Sequence, residues 1–557
     1  MVTGNDLLAG ALRDLGVKDF FFIMGGPMSD ATKLIFGHGI RGIDVRHEQA
    51  AAMMAHAYSR VTGEVGVAMG CSGPGALNLL TGIATAWADG SPVVALGGSS
   101  PSFQNGMGAF QEVDQLAIFR PVTKWSMRLT DPSRIPDTVE EAFTRARSGK
   151  PGPVYLDFPA DVLYASLPDG ASATTEEATR PFHIPVRDVA GRTLPRPLAD
   201  PEDVARAARL LAQAERPVII SGTGVLWSEA WDELRAFVDL TGIPFFSTPQ
   251  GRGVIEEDHQ LSFLAARSAA FREADAVFVV GTRLNHMIGF GRPPRFAADA
   301  AFVQLDISTE EIGHNRPVDI GLVGDARAVL RQLIDEARPL FDGRPRSGWV
   351  DRLAEIDERK SAAHEAACAT DQVPIHPLRL AKEVRDFAER DAILVVDGHE
   401  ILNFCRQTIP SYVPRHRLNS GPFGTMGVGV PFGIGAKVAA PDKQVIVVQG
   451  DGSFGMNGME IDTAIRHQIP IVCVIGNNAG WTAVGRGARP GTWLGHTRYD
   501  QMFEGLGAHT ELVEDPADIR PALERAVQSG LPAVVNVLTD PNAASESVKF
   551  SAHESVG

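Results

Sequence analysis

The apolar run VIVVQ passes into Gly450, Asp451, Gly452 and Ser453, and a helical pattern follows at once. Glycines let a backbone approach a phosphate, and the helix that follows presents free amides to it. A carboxylate at that point repels the anion, so Asp451 implies a metal ion between them. A second run, PIVCVIG, ends in Asn477, Asn478, Ala479 and Gly480. Neighbouring parallel strands would bring both ends to one crevice, where Asp451 and Asn478 can share one ion. Carboxylate, amide oxygen, backbone carbonyl, diphosphate oxygens and water make the all-oxygen octahedral set that magnesium prefers. Either stretch alone reads as a plain turn; the pair at this spacing does not.

The chain that must position these residues has 557 of them, enough for about three domains at ~100–200 residues each. Hydrophobic residues at 44% and charged residues at 22% are ordinary globular values, which excludes wholesale disorder. No apolar run is long enough for a membrane span. The net charge of −16 disfavours nucleic acid and anionic membranes as general partners. Cys71, Cys368, Cys405 and Cys473 are scattered without CxxC spacing, which fits a reduced, cytoplasmic compartment. The first residues read as a helix, with Leu7, Leu8, Leu12 and Leu15 at helical spacing, and not as a leader.

Apolar strands and helices then alternate, the pattern of parallel sheets covered on both faces. The expected class is α/β, with three doubly wound parallel-sheet domains: an N-terminal domain over 1–165, a central Rossmann-like domain over 200–340 and a third over 372–540. A linker is expected between about Tyr164 and Pro201. A second, containing an amphipathic helix, is expected between Phe341 and about Ala369, and residues 541–557 form a tail or lid. The GTG at Gly222–Gly224 does not continue as GxGxxG, so a plain NAD-binding reading is weak.

The GDG-to-NN arrangement resembles the motif of the thiamin diphosphate-dependent decarboxylase and acetolactate synthase superfamily. The resemblance implies that Asp451, the Asn478 side chain and the Gly480 backbone oxygen hold Mg2+ against the diphosphate of thiamin diphosphate, beside Gly450, Gly452 and Ser453. It implies that the three domains are pyrimidine-binding, central and diphosphate-binding. Such a cofactor needs a carboxyl group hydrogen-bonded to its pyrimidine, so that its own amino group can act as base. In IDVRHEQAAAMMAHAYSR, the strand-to-helix form in which the superfamily carries that group, Glu48 is the candidate. In PRHRLNSGPFGTMGVGV, Met426 is by resemblance the wedge that bends the cofactor and donates a backbone amide to the pyrimidine, and the Gly424 carbonyl accepts from the amino group. In the superfamily the carboxylate and the diphosphate motif come from different chains, which implies a dimer at least; a homotetramer, a dimer of dimers, is expected.

Within the superfamily, GGSSPSFQNGMGAFQE, GTRLNHMIGFGRPPRF, AFVQLDIS and PRHRL look most like 2-hydroxyacyl-CoA lyase and oxalyl-CoA decarboxylase. The expected activity is a lyase that cleaves a 2-hydroxyacyl-CoA to formyl-CoA and an aldehyde or ketone, reversible as a carboligation. Phe110 and Gln111 stand where the oxalyl-CoA enzymes carry a Tyr-Glu pair, which favours a neutral hydroxyacyl group. Gly26, Phe110, Gln111, Arg406 and Trp493 are the candidate substrate residues. Arg292, Arg295, Arg406, Arg415 and Arg417, in loop-like segments, are candidate cations for the phosphates of an acyl-CoA. Gln111 cannot ionise, so His496 or water is left to shuttle the substrate's hydroxyl proton. The alternatives are an acetolactate synthase-like or benzaldehyde lyase-like carboligase acting on 2-oxo acids or hydroxyketones without CoA, and a non-catalytic cofactor-binding homologue.

Overall fold

A computed structural model describes residues 1–167, 195–343, 348–484, 487 and 489–545. The linker expected near 164–201 and the tail expected over 541–557 lie mostly outside the described residues. Three parallel sheets carry the fold, as the alternating pattern predicts. The first contains β1 (Asp19–Phe22), β2 (Arg41–Asp44), β3 (Gly66–Gly70), β4 (Val93–Ser99), β5 (Trp125–Arg128) and β6 (Val154–Pro159), in the order β2-β1-β3-β4-β6-β5. The central one contains β7 (Pro217–Ser221), β8 (Phe245–Ser247), β9 (Ala276–Val280), β10 (Ala301–Asp306) and β11 (Ile320–Val323), in the order β8-β7-β9-β10-β11. The third contains β12 (Ile393–Val396), β13 (Arg417–Leu418), β14 (Val445–Gly450), β15 (Val472–Asn477), β16 (His509–Val513) and β17 (Ala533–Leu538), in the order β13-β12-β14-β15-β17-β16. The first and third sheets therefore share one strand order, the structural counterpart of an internal repeat that leaves no short-period trace in sequence. A short antiparallel ribbon pairs Val2–Thr3 with Ser166–Leu167.

Strands buried on both faces must be apolar throughout, and β3, β4, β6 and β9 are buried along their whole lengths. The glycines at the strand ends of the central sheet have a packing role. A Cβ built on Gly224 would lie 2.6 Å from Gly281 Cα, and one on Gly251 would lie 2.9 Å from Gly222 Cα. The GTG turn is thus a place where backbones meet backbones. The Phe341–Ala369 passage contains the expected helix, Gly348–Cys368, with Trp349, Val350 and Leu353 buried. No helix among the described residues is long and apolar enough to cross a membrane.

By its contacts the chain divides into two compact units. One comprises Met1–Leu194, Phe423–Asp442 and Asn457–Pro470; the other comprises Pro195–Pro422, Lys443–Met456 and Ile471–Gly557. Two segments of the C-terminal third thus cluster with the N-terminal sheet. In the first unit, α1 (Glu48–Thr62) is rich in Ala and Met, which favour helix. It is capped by His47 Nδ1 accepting from Gln49 N at 3.1 Å, and it ends at Gly63 in the left-handed region. Its buried face lies against α6 (Gly429–Ala439), which follows α2 (Pro74–Asn78), α3 (Leu80–Asp89), α4 (Pro377–Phe387) and α5 (Glu400–Thr408) along the chain. A Cβ on Gly435 would lie 2.4 Å from Met54 O and 2.9 Å from its Cα, so only glycine permits this approach. Gly435→Val is expected to force α1 and α6 apart and to destabilise the protein by about 1–3 kcal/mol, read as a lowered urea midpoint.

Candidate active site

The strand ends of the third sheet assemble as the sequence predicts. β14 and β15 are parallel neighbours with Gly450 opposite Gly476, and β12 flanks β14 on the other side. This is where the strand order reverses, the position at which open α/β sheets bind ligands. Helix α7 (Asp451–Asn457) starts directly at the strand end. Asp451 is only 1% exposed. Burial pushes its carboxyl up to about 7, against the pull of donating N–H groups of Gly452, Asn478 and Gly480. Its Oδ2 is buried without a hydrogen-bond partner.

Across from it, one terminal atom of the Asn478 amide lies 3.0 Å from Asp451 Oδ1 and 2.9 Å from Gly480 O. Without a cation the amide nitrogen belongs there and donates to both oxygens. Turned over, the amide brings a third oxygen into the same space, the donor set of a hard divalent ion. The residues present therefore fit magnesium, and no cluster of three His, Cys, Asp or Glu side chains offers an alternative among the described residues. Asn477 has a different task. Its Nδ2 donates to Asn536 Oδ1 at 3.0 Å and its Oδ1 accepts from Ala479 N at 3.2 Å, which shapes the turn. Ala479 takes φ +60, an uncommon conformation for a residue with a Cβ.

Gly452 leaves room for the Trp481 ring, 2.7 Å from where its Cβ would be, and Ser453 Oγ donates to Gly450 O at 3.1 Å. Trp493 pairs with Gly480 by an isolated antiparallel bridge and is 60% exposed. A third strand end, absent from the sequence reading, joins them. Gly398, at φ +97, would place a Cβ 3.1 Å from Gly450 N and 3.3 Å from Ser453 Oγ. Next to it, the buried Glu400 accepts from Thr482 Oγ1 at 2.9 Å and from Ser545 N at 2.8 Å, fastening the loop beyond Gly480. The apolar run AILVV followed by Asp-Gly-His-Glu is the signal that pointed there.

The first unit holds Glu48 at the start of α1, buried, with Asn78 Nδ2 donating to its Oε2 at 2.9 Å. The turn before it is fixed from a distant part of the chain. The buried Glu460, first residue of α8 (Glu460–Arg466), accepts from Arg46 N and His47 N, both at 3.1 Å. Gly26 O accepts from Ser72 N at 3.1 Å, in the loop that runs to Gly75. Gln111, at φ 61, lays its carbonyl oxygen 2.5 Å from where a Gly73 Cβ would be, so it reaches the Glu48 loop through its backbone. Phe110 is 84% exposed. Glu112, the last residue of AFQE, is a loop clasp that accepts from the N–H groups of Gly106, Gly108 and Ala109. Gly424, at φ +70 and exposed, and the half-buried Met426 belong to this unit too.

The structure separates the five arginines offered as phosphate ligands. Arg417 is not in a loop: it lies buried in β13 and donates to Ile409 O and Cys405 O, capping α5. Arg415 donates to Leu226 O, and Arg292 Nε donates to Asn315 O at 2.6 Å. Arg406 is in the last turn of α5, not in a loop. It groups with Arg295 and with Arg267, which the sequence reading missed. The Arg267 and Arg295 guanidinium groups lie 5.1 and 5.9 Å from the Phe271 ring. Arg267 Nε and Nη2 are buried without hydrogen-bond partners. Burial, then the charges of Arg295 and Arg406, push Arg267 down to about 9; burial, then Arg252 and Arg295, push Arg406 down to about 10. The nearby Glu257 is already engaged by Arg252, Nε to Oε1 at 2.7 Å, and by Ser411 N.

Family models for the thiamine pyrophosphate enzyme N-terminal TPP binding domain, central domain and C-terminal TPP binding domain match residues 2–118, 204–333 and 402–537. The chain belongs to the thiamine pyrophosphate enzymes. It is 38% identical over 552 residues to an acetolactate synthase large subunit of Mycobacterium tuberculosis, covering 97% of this chain and 96% of that one. It is 34% identical over 566 residues to a 2-hydroxyacyl-CoA lyase of Oryza sativa subsp. japonica, covering 98% and 97%. It is 34% identical over 561 residues to an oxalyl-CoA decarboxylase of Escherichia coli K12, covering 98% and 96%. All three relatives are spanned nearly end to end.

The buried Asp451 gives this enzyme a pH signature of its own. A carboxyl raised in the folded state contributes stability that is fully present below its unfolded value and is lost as pH rises through the folded one. The contribution of Asp451 to the stability of the cofactor-free protein is therefore expected to fall between about pH 4 and about pH 7, so that Asp451→Asn gains on wild type over that range. Urea unfolding in the presence of EDTA across this range checks it.

Proposed function

We propose that this thiamine pyrophosphate enzyme is a carbon–carbon lyase that cleaves a 2-hydroxyacyl-CoA to formyl-CoA and an aldehyde or ketone, and joins them in reverse. The observation that carries the CoA assignment is the cluster of Arg267, Arg295 and Arg406. Three guanidinium groups held together with the neighbouring carboxylate already engaged ask for a polyanion. Helix α5 runs from the Gly398–His399 strand end to Arg406, seven residues or about 10 Å at 1.5 Å per residue. That span is within reach of a pantetheine arm, so phosphates on the arginines leave the thioester near the strand ends.

Thiamin diphosphate, when bound, supplies a nucleophilic carbon that can hold the electron pair released on carbon–carbon cleavage. The chain's own residues supply the rest. Asp451, Asn478 and the Gly480 carbonyl hold Mg2+, and the glycine backbone at 450 and 452, with Ser453, admits the diphosphate. Glu48 would hold a proton at the pyrimidine, and Met426 and Gly424 would position the cofactor beside it. Gln111 and Phe110 carry no charge, which suits a neutral hydroxyacyl substrate better than an oxalyl one; Gly26 and Trp493 are the further substrate residues of this reading. It includes a cytoplasmic dimer of dimers.

A second reading, a carboligase acting on 2-oxo acids without CoA, is favoured by the 38% identity to an acetolactate synthase large subunit. One experiment separates the two. Protein reconstituted with thiamin diphosphate and Mg2+ is incubated with formyl-CoA and a panel of aldehydes and ketones, and in parallel with pyruvate and the same panel, with products read by mass spectrometry. The lyase yields 2-hydroxyacyl-CoA adducts that vanish in Glu48→Gln; products from pyruvate alone would overturn it. In the lyase, Arg406→Ala and Arg295→Ala are each expected to raise KM for the CoA substrate about ten-fold with little change in kcat, measured by steady-state kinetics.

A further inference from the structure

We propose that Asn78 is a positioning residue for cofactor activation: it holds Glu48 by Oε2 and so reserves Oε1 as the oxygen that carries the working proton. The proposal rests on Glu48 being the carboxyl group at the pyrimidine. The two oxygens of that group stand in different surroundings. Oε2 accepts from Asn78 Nδ2 at 2.9 Å. Oε1 faces Gly75, where an added Cβ would lie 3.1 Å from it and 2.4 Å from Cys71 Sγ. The missing side chain at Gly75 lets Oε1 and Cys71 Sγ pack against its backbone, and no described hydrogen bond is made to Oε1. An oxygen that accepts an amide N–H is a poor place for a proton directed along the same line, so the carboxylic proton resides on the other oxygen.

The donor is itself rigidly held. Asn78 ends α2, a five-residue helix entered through Gly73. Gly73 N donates to Gln115 Oε1 at 2.6 Å. Gln115 Nε2 in turn lies 2.9 Å from Gly98 O, 2.8 Å from Tyr155 Oη and 2.7 Å from Asp157 Oδ1, three acceptors that share its two N–H groups. Gln115, Tyr155 and Asp157 are all buried. This polar network is fully engaged and has no contact with Glu48 itself. It anchors the near end of the helix, and through it the amide at the far end, which a satisfied buried network is suited to do.

The test compares full-length wild type, Asn78→Ala, Asn78→Asp and Glu48→Gln. Each is assayed for unfolding of the cofactor-free protein, for thiamin diphosphate affinity by tryptophan fluorescence with Mg2+ present, and for hydrogen–deuterium exchange at the cofactor C2 by quenched-flow NMR. Loss of the donor in Asn78→Ala is expected to slow C2 exchange about ten-fold or more, with cofactor affinity and unfolding close to wild type. Asn78→Asp keeps the shape and replaces the donor by a second carboxyl, so it is expected to exchange more slowly than Asn78→Ala. A filler role for Asn78 predicts the opposite ranking, and that ranking, or wild-type exchange in both variants, would overturn the proposal. If Glu48→Gln exchanges at the wild-type rate, the assignment of Glu48 fails instead, whatever the Asn78 variants do.

Discussion

A carboxylate buried at a strand end, with one oxygen left without a partner, is costly to ionise, and much of the third sheet follows from that constraint. Asp451 has its backbone donors, yet its Oδ2 has no partner and its carboxyl is pushed up to about 7. A structural role alone would be served better by asparagine, which gives up the desolvation cost. The glycines around it, the turn built by Asn477 and the uncommon φ of Ala479 all serve to bring Asn478 and Gly480 against the same carboxylate. An arrangement that is costly on its own and offers oxygens to one point is how a site would store affinity for an ion.

The first and third sheets share a strand order, and each carries a buried acid just beyond a strand end, after strands that are not equivalent in that order. In the third sheet the acid follows the strand next to the reversal point, and in the first it follows the edge strand β2 and opens α1. The surroundings then differentiate them. Asp451 is enclosed by backbone N–H groups and oxygens, suiting it to a metal. Glu48 has one side-chain donor on Oε2, and its Oε1 lies beside Gly75 and Cys71. One topology thus yields two chemistries, decided by what the loops bring to the strand end.

The parts of the site legible in sequence were those whose partners are local. Gly450, Asp451 and Gly452 announce themselves because a strand end, two glycines and an acid make sense only together, and Asn478 follows from the second strand. Glu48 was found through resemblance and the apolar run behind it. Glu460, Asn78, Glu400 and Arg267 were not legible, because each matters through a partner tens to hundreds of positions away. The Glu460 bonds to Arg46 and His47 cross more than four hundred residues. The arginines show the same limit from the other side. Arg417 sits in a polar segment that reads as a loop, yet it is spent on the carbonyls at the end of α5, and nothing in PRHRL distinguishes it from Arg406. The strand alternation was legible because burial on both faces leaves an unmistakable apolar run. The clustering of 423–442 and 457–470 with the N-terminal sheet was not, because it depends on helix surfaces such as Gly435 against Met54.

Two buried groups of opposite sign stand out among the described residues of the second unit. Asp451 Oδ2 and the Nε and Nη2 of Arg267 are buried without hydrogen-bond partners, and the glutamate beside the arginines, Glu257, is engaged by Arg252. Burial makes each costly in isolation. If they were structural, the cheaper solution would be for them to pair with each other, and the fold instead keeps them apart at the two ends of α5 and its strand-end turn. Their separation suits the function proposed above, in which one polyanion would be held through a metal ion and the other directly by guanidinium groups.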